Sequence, residues 1–407
     1  MKGRMKTNSD KYLGPLLLTV VLCALAGCSK AGAADVVAPL LKVQISDVPA
    51  IQEASSIESP DVAPASLNFL DNQHVILGMN FSSAAERSAA GQYLHATVVS
   101  TATIVIFDAQ TGKVTNSKSW PGFKGEASAS GTPLILPIGG GDFIAGIQNT
   151  IFRFSPSFEI QAKRSLVPID AEPRDGSNQV YWSINADAKG RSAMLMRSYQ
   201  RTEQDFWISP LTLANEEELP PSTDHYIHSI STLGNLSLVS NWNQKARTES
   251  KIDSAVVEQR GKQPRALCSE CEGAVLASFG KNLVLLTKRP GPSYIVTDTD
   301  GNILLRHDNQ PESRAMIGNA SGAADANRVA ICYIDGGIPT GGSIHFAVVD
   351  VDAGKEVWNY EEKMAFNNSE KGSFHVVQFI GPKIALSPNG HTLAVLLNGV
   401  LRTYSIP

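Results

Sequence analysis

Cys268-Ser-Glu-Cys271 is the spacing in this chain most open to chemistry. Two thiols separated by two residues can form a redox couple, half of a four-cysteine zinc site, or a local disulfide. The redox use belongs to a βαβ setting, and none surrounds this pair. No second Cys-x-x-Cys completes a zinc site, and no His follows Cys271 to make a c-type haem attachment. In an oxidising compartment the plain expectation is a Cys268–Cys271 disulfide, with modest stabilisation because the loop it closes is short. Cys332 lies in the apolar run "VAICYID" and is expected to be a buried thiol; a disulfide from Cys332 to either of the other two is the alternative.

The remaining chemistry-bearing residues are sparse. Thr297-Asp-Thr-Asp-Gly-Asn302 has calcium-loop composition, but Ile303 stands where the loop needs glycine and the distant Glu is missing. A hairpin turn is expected there. His225 and His228 are three apart, which on a strand sends them to opposite faces and speaks against a shared metal. Glu216, Glu217 and Glu218 read as a solvated strand edge. No catalytic residue, no metal site and no cofactor are expected from these residues.

The first 27 residues are of another kind. Lys2, Arg4, Lys6 and Lys11 precede the apolar run "LGPLLLTVVLCALAG", which is too short to span a bilayer and has the layout of a secretory signal. Its end, Leu25-Ala26-Gly27-Cys28, resembles the lipobox of bacterial lipoproteins. That resemblance implies cleavage before Cys28, acylation of Cys28, and an acyl anchor that holds the protein on a membrane without crossing it. Ser29 implies the outer membrane, facing the periplasm, in a Gram-negative host. The chain would then divide into a signal peptide (1–27), a lipidated tether (28–39) and one domain (40–407). Removing residues 1–27 takes four basic residues and Asp10 from totals of 35 and 39, leaving a formal charge of −7. That charge disfavours nucleic acid and an electrostatic grip on anionic lipid.

The elements that must position these residues are strands. Short Val-, Ile-, Leu-, Phe- and Tyr-rich runs are bounded by Gly, Asn, Asp and Pro, and helical periodicity is nearly absent. The C-terminal "KIALSPNGHTLAVLLNGVLRTYSIP" reads as three strands joined by Pro-Asn-Gly and Asn-Gly turns. It resembles the repeat of WD40-like and YVTN-like β-propellers, while "DAQTGK" and "DVDAGKEVW" resemble quinoprotein-type blade turns. With that template, third strands start near residues 102, 150, 205, 252, 293, 345 and 399, each preceded by an apolar second strand. The intervals suit a propeller repeat. The expected fold is all-β: a propeller of seven four-stranded blades, closed by the N-terminal strand "LLKVQISDV". Trp120, Trp207, Trp242 and Trp358 then fall at places suited to packing between blades.

The blade register also sorts the connections. First-to-second and third-to-fourth strand turns are short, as in "GGGD", "AKGR", "SPNG" and "TDTDGN". Second-to-third and inter-blade connections are long, as in "SSAAERSAAGQYLHA", "NQKARTESK" and "WPGFKGEASASGT". One smooth and one elaborated face follow, and binding groups are expected on the elaborated one. The expected function is a non-catalytic binding or scaffold protein with a protein or cell-envelope partner. It resembles the propeller lipoproteins of the outer-membrane β-barrel assembly machinery, although their eight blades are not matched. The alternative is a propeller enzyme, either a lactonase-like hydrolase or a quinoprotein-like dehydrogenase; the adjacent Cys-Cys pair of alcohol-oxidising quinoproteins is absent.

Overall fold

The computed structural model describes residues 38–55, 61–62, 65–82, 98–125, 134–147, 150–166, 180–187, 189–199, 202–218, 225–234, 236–243, 255–259, 262, 265–268, 275–287, 293–308, 316–335, 342–364 and 382–407. These residues form a β-propeller. Each blade is an antiparallel sheet, and in all but the last the strands follow one another in chain order from the axis outwards. The second and third strands match the apolar runs closely: His74–Ser82 with Val98–Asp108, Phe143–Ile147 with Thr150–Phe154, Leu283–Thr287 with Tyr294–Asp298, and Thr392–Leu397 with Val400–Ser405. They are buried on both faces between neighbouring blades. That is why they read as continuous apolar runs rather than as alternating ones.

The axis is lined by the first strand of each sheet: Ser66–Phe69, Leu134–Pro137, Val180–Ala186, His225–Leu233, Val275–Phe279, Met316–Gly322 and Lys383–Leu386. Each touches the next in chain order, and Lys383–Leu386 touches Ser66–Phe69. Their inward edges have no ladder partner, so side chains from the adjacent blade supply bonds. Asn68 Nδ2 donates to Ile135 O at 2.6 Å, the Ile135 N–H donates to Ser66 Oγ at 3.3 Å, and the Leu386 N–H donates to Ser321 Oγ at 3.0 Å.

Among the described residues the blades are four-stranded as expected, with one extra short strand in the first. Asp61–Val62 and Ser66–Phe69 both pair with His74–Ser82 along the same direction, with a one-residue change of register between them. The fifth strand is thus the outer piece of a broken first strand. The last sheet is completed from the other end of the chain. Leu41–Gln44 pairs antiparallel with Val400–Ser405, Leu41 opposite Thr403 and Gln44 opposite Val400. A short 3-10 turn (Ile45–Asp47) and a helix (Pro49–Ser55) follow this strand. The helix was not foreseen. It buries Ile51 and Ala54, which join Ile45 and Val48 against Leu67, Val75 and Leu77 of the first blade and Ala394, Leu396 and Leu401 of the last.

Aromatic pairs cross between blades where the tryptophans were expected to pack. Trp120 of the first blade meets Phe154 and Phe158 of the second at 5.4 and 6.1 Å, and Trp358 meets Tyr404 of the last blade at 5.2 Å. Trp207 is fully buried in its blade. The side chain of Trp242 lies outside the described residues.

Candidate functional site

Strand order alone decides which connections share a face. In an antiparallel four-stranded blade, the first-to-second and third-to-fourth turns leave from one edge, and the other two connections leave from the opposite edge. The long connections, residues 83–97, 126–133, 167–179, 219–224, 244–254 and 365–381, fall outside the described residues. The elaborated face is also less uniform than expected. Three second-to-third connections, at 148–149, 200–201 and 398–399, contain only two residues.

The short-turn face is described in detail, and its turns are self-contained. In the first blade the Asp108 carboxylate accepts from Gln110 N, Thr111 N and Thr111 Oγ1 at 3.0, 2.7 and 2.8 Å. Those bonds hold the Asp108 carboxyl below the usual carboxylate range. Gly112 closes the turn at φ +69°, and a Cβ there would lie 2.5 Å from Leu41 Cδ1. Glycine is therefore favoured by the left-handed conformation, and any side chain there would displace Leu41 and Val43. Asp298 repeats the device, accepting from Asp300 N, Asn302 N and Asn302 Nδ2 at 3.0, 2.8 and 2.7 Å. "TDTDGN" is the hairpin turn joining Tyr294–Asp298 to Ile303–His307.

Between blades, the same rim is tied together. Asp187 is almost fully buried and holds two turns at once: it accepts from Arg191 Nε at 2.8 Å, Arg191 Nη2 at 2.9 Å and the Gly234 N–H of the following blade at 3.1 Å. Gly190 in that turn faces the preceding blade so closely that a Cβ would meet Ile138 O at 1.9 Å. Arg328 donates to Asp350 Oδ2 at 2.9 Å and to the Pro407 carbonyl at 2.7 Å. The Asn389 N–H donates to Asn72 Oδ1 at 2.9 Å, linking the last blade to the first.

Burial pushes the Asp187 carboxyl upward, but the Arg191 guanidinium and the Gly234 N–H outweigh it and leave it below its ordinary value. A carboxyl depressed by folding contributes stability that is complete above its unfolded pKa and is lost as pH falls through the folded value. Urea unfolding is expected to show stability falling from about pH 5 downward, with Asp187→Asn flattening the fall and costing on the order of 3 kcal/mol at neutral pH. An unchanged acid slope in that variant would show that Asp187 does not hold the rim.

Within the ring of turns lies a cavity of ≈ 930 Å³. Its walls are the inner strands and its rim the short turns, with Asn68, Asn185, Ser278, Ser321, Lys189 and Asp325 among the lining. Lys189 and Asp325 come from the turns of the third and sixth blades and meet across the opening at 3.0 Å. No binding site was expected on this face. Each of its residues sits in an ordinary-looking turn, and only ring closure brings them together.

The sequence-predicted residues are not gathered here. Cys268 is disulfide-bonded, and Cys271 lies outside the described residues. Cys332 is free and fully buried, and burial pushes its thiol up to about 12, which leaves negligible thiolate at neutral pH. His225–Leu233 is a strand in which His228 falls at a register shift; the side chains of both histidines lie outside the described residues. Glu216–Glu218 lies in an outermost strand with Glu216 and Glu218 exposed, as expected of a solvated edge. Cys28 and the signal segment lie outside the described residues. Among the described residues, no group of three or more His, Cys, Asp or Glu could hold a metal ion.

No family model matches the chain, and no curated protein matches it. Solved structures similar to it include the Cps50 (Swd1) β-propeller domain of Myceliophteria thermophila, 11% identical with a TM-score of 0.45 over 86% of this chain and 99% of that one. Hsv2 of Kluyveromyces lactis is 13% identical with a TM-score of 0.44, over 83% of this chain and 90% of the other. TolB of Acinetobacter baumannii is 13% identical with a TM-score of 0.37, over 65% and 60%.

Proposed function

We propose that this chain is an exported, lipid-anchored, non-catalytic binding protein: a seven-bladed ring latched by Leu41–Gln44 and held on a membrane by an acyl group on Cys28. It engages a protein or cell-envelope partner through its long-loop face. The observation that carries this reading is the opposite rim, whose turns spend their polar groups on one another through Asp187, Arg328 and Asn72. A rigid, cross-tied scaffold of this kind is the setting in which long loops present binding groups. The Cys268 disulfide is assigned to Cys271, since Cys332 is free. In a Gram-negative host the anchor places the protein on the outer membrane, facing the periplasm.

Two variants test this. Cys28→Ala should shift the protein from the membrane fraction to the soluble fraction and abolish incorporation of labelled fatty acid; retention at the membrane would overturn the anchor. Replacing residues 83–97 with an Asn-Gly turn should abolish partner capture from solubilised membranes while leaving the unfolding midpoint unchanged. Full capture after trimming both 83–97 and 244–254 would overturn the use of that face.

A further inference from the structure

We propose that the axial cavity on the short-turn face is a second binding site, independent of the partner-binding face, for a neutral polyhydroxylated ligand of the saccharide class. Its volume of ≈ 930 Å³ lies at the upper end of the range typical of small-molecule sites. The chemistry of its wall selects the class. The charged side chains of the lining are engaged locally: Lys189 pairs with Asp325 at 3.0 Å, and the Asp71 carboxylate is hydrogen-bonded to His74 Nδ1 at 2.8 Å. A charged ligand would lose its hydration and have to compete with these contacts for a partner, which is costly.

What the wall offers instead is residual neutral hydrogen-bonding capacity. Asn68 spends its Nδ2 on Ile135 O and keeps Oδ1 as an acceptor. Asn72 accepts through Oδ1 and keeps Nδ2 as a donor. The Ser321 hydroxyl accepts from Leu386 N and keeps its proton to donate. Gly140 and Gly141 stand on the rim, and their N–H groups make no backbone hydrogen bond among the described residues. Between these groups lie Leu136, Leu276 and Leu386. A wall that mixes aliphatic patches with uncharged donors and acceptors complements a sugar ring, which has C–H faces and hydroxyl edges. The Lys189–Asp325 pair lies at the mouth.

The test uses the full-length, detergent-solubilised protein in isothermal titration calorimetry and thermal unfolding. The probes are glucose, N-acetylglucosamine and maltotriose, with inorganic phosphate and citrate as charged controls. Saturable binding of at least one sugar is expected, with a concentration-dependent rise in the unfolding midpoint. Ala324→Phe fills the cavity without removing a side-chain hydrogen bond and should weaken that binding by about tenfold or more, which is a change of roughly 1.4 kcal/mol. Should that variant not fold, Ser157→Trp on the exposed lip repeats the block. No sugar binding, binding of the charged controls in preference to sugars, or unchanged affinity in the folded blocking variant would each overturn the proposal. Trimming residues 83–97 should leave sugar binding intact, so this site and the partner-binding face fail separately.

Discussion

A chain that begins at residue 56 is expected to lose on the order of 5–9 kcal/mol of stability relative to one that begins at residue 39. Deletion of residues 39–55 removes the strand Leu41–Gln44, its backbone bonds from Leu40 N to Thr403 O and from Ile45 N to Gly399 O, and the buried side chains of Ile45, Val48 and Ile51. Each large apolar side chain taken out of the core costs about 1.5–3 kcal/mol. The total is comparable to the whole net stability of an ordinary domain. Truncation also bares the edge of Val400–Ser405, which is a template for pairing with another chain. Denaturant unfolding should therefore give a sharply lowered midpoint, and sedimentation should show concentration-dependent association. If the two chains unfold alike, the N-terminal segment is not what latches the ring.

The second large effect is at Trp207. It is fully buried, and among the described residues its indole N–H has no hydrogen-bond partner. Trp207→Ala should cost about 3–5 kcal/mol through the cavity it leaves. Trp207→Phe should cost about 1 kcal/mol or less, because it keeps most of the packed volume and removes an unsatisfied buried donor. Equilibrium unfolding of both variants checks this. A phenylalanine variant as unstable as the alanine one would mean that the indole nitrogen holds a partner.

The second and third strands were legible in the sequence because both of their faces are buried, so apolar content marks them without reference to any partner. Outer strands were less legible. Asn215–Glu218 is almost wholly charged and Arg265–Ala266 has two residues, since an outer strand faces water and needs little beyond backbone pairing. The break between Asp61–Val62 and Ser66–Phe69 left no mark that a loop would not also leave. Turns with glycine were readable, but Phe158 and Leu213 occupy the same left-handed position at φ +61° and +60°. Both side chains are buried, and that burial offsets strain which local propensity alone would have forbidden.

The candidate sites divide the same way. The hairpin role of Asp108 was readable because its partners are two and three residues away. Asp187 was not, since "NADAKGRS" resembles any polar turn and its decisive partner, Gly234, lies in the next blade. The axial cavity was invisible for the same reason. Lys189 and Asp325 meet only because the ring closes.

The central claim, that the macromolecular partner is engaged by the long-loop face and not by the short-turn face, is tested most directly by placing a photo-crosslinking residue at four positions in the native host. Arg87 and Gln244 lie in long connections, and Gln110 and Lys281 in short turns. The account predicts a discrete adduct with one partner from Arg87 or Gln244 and none from Gln110 or Lys281. Adducts only from Gln110 and Lys281 would contradict it.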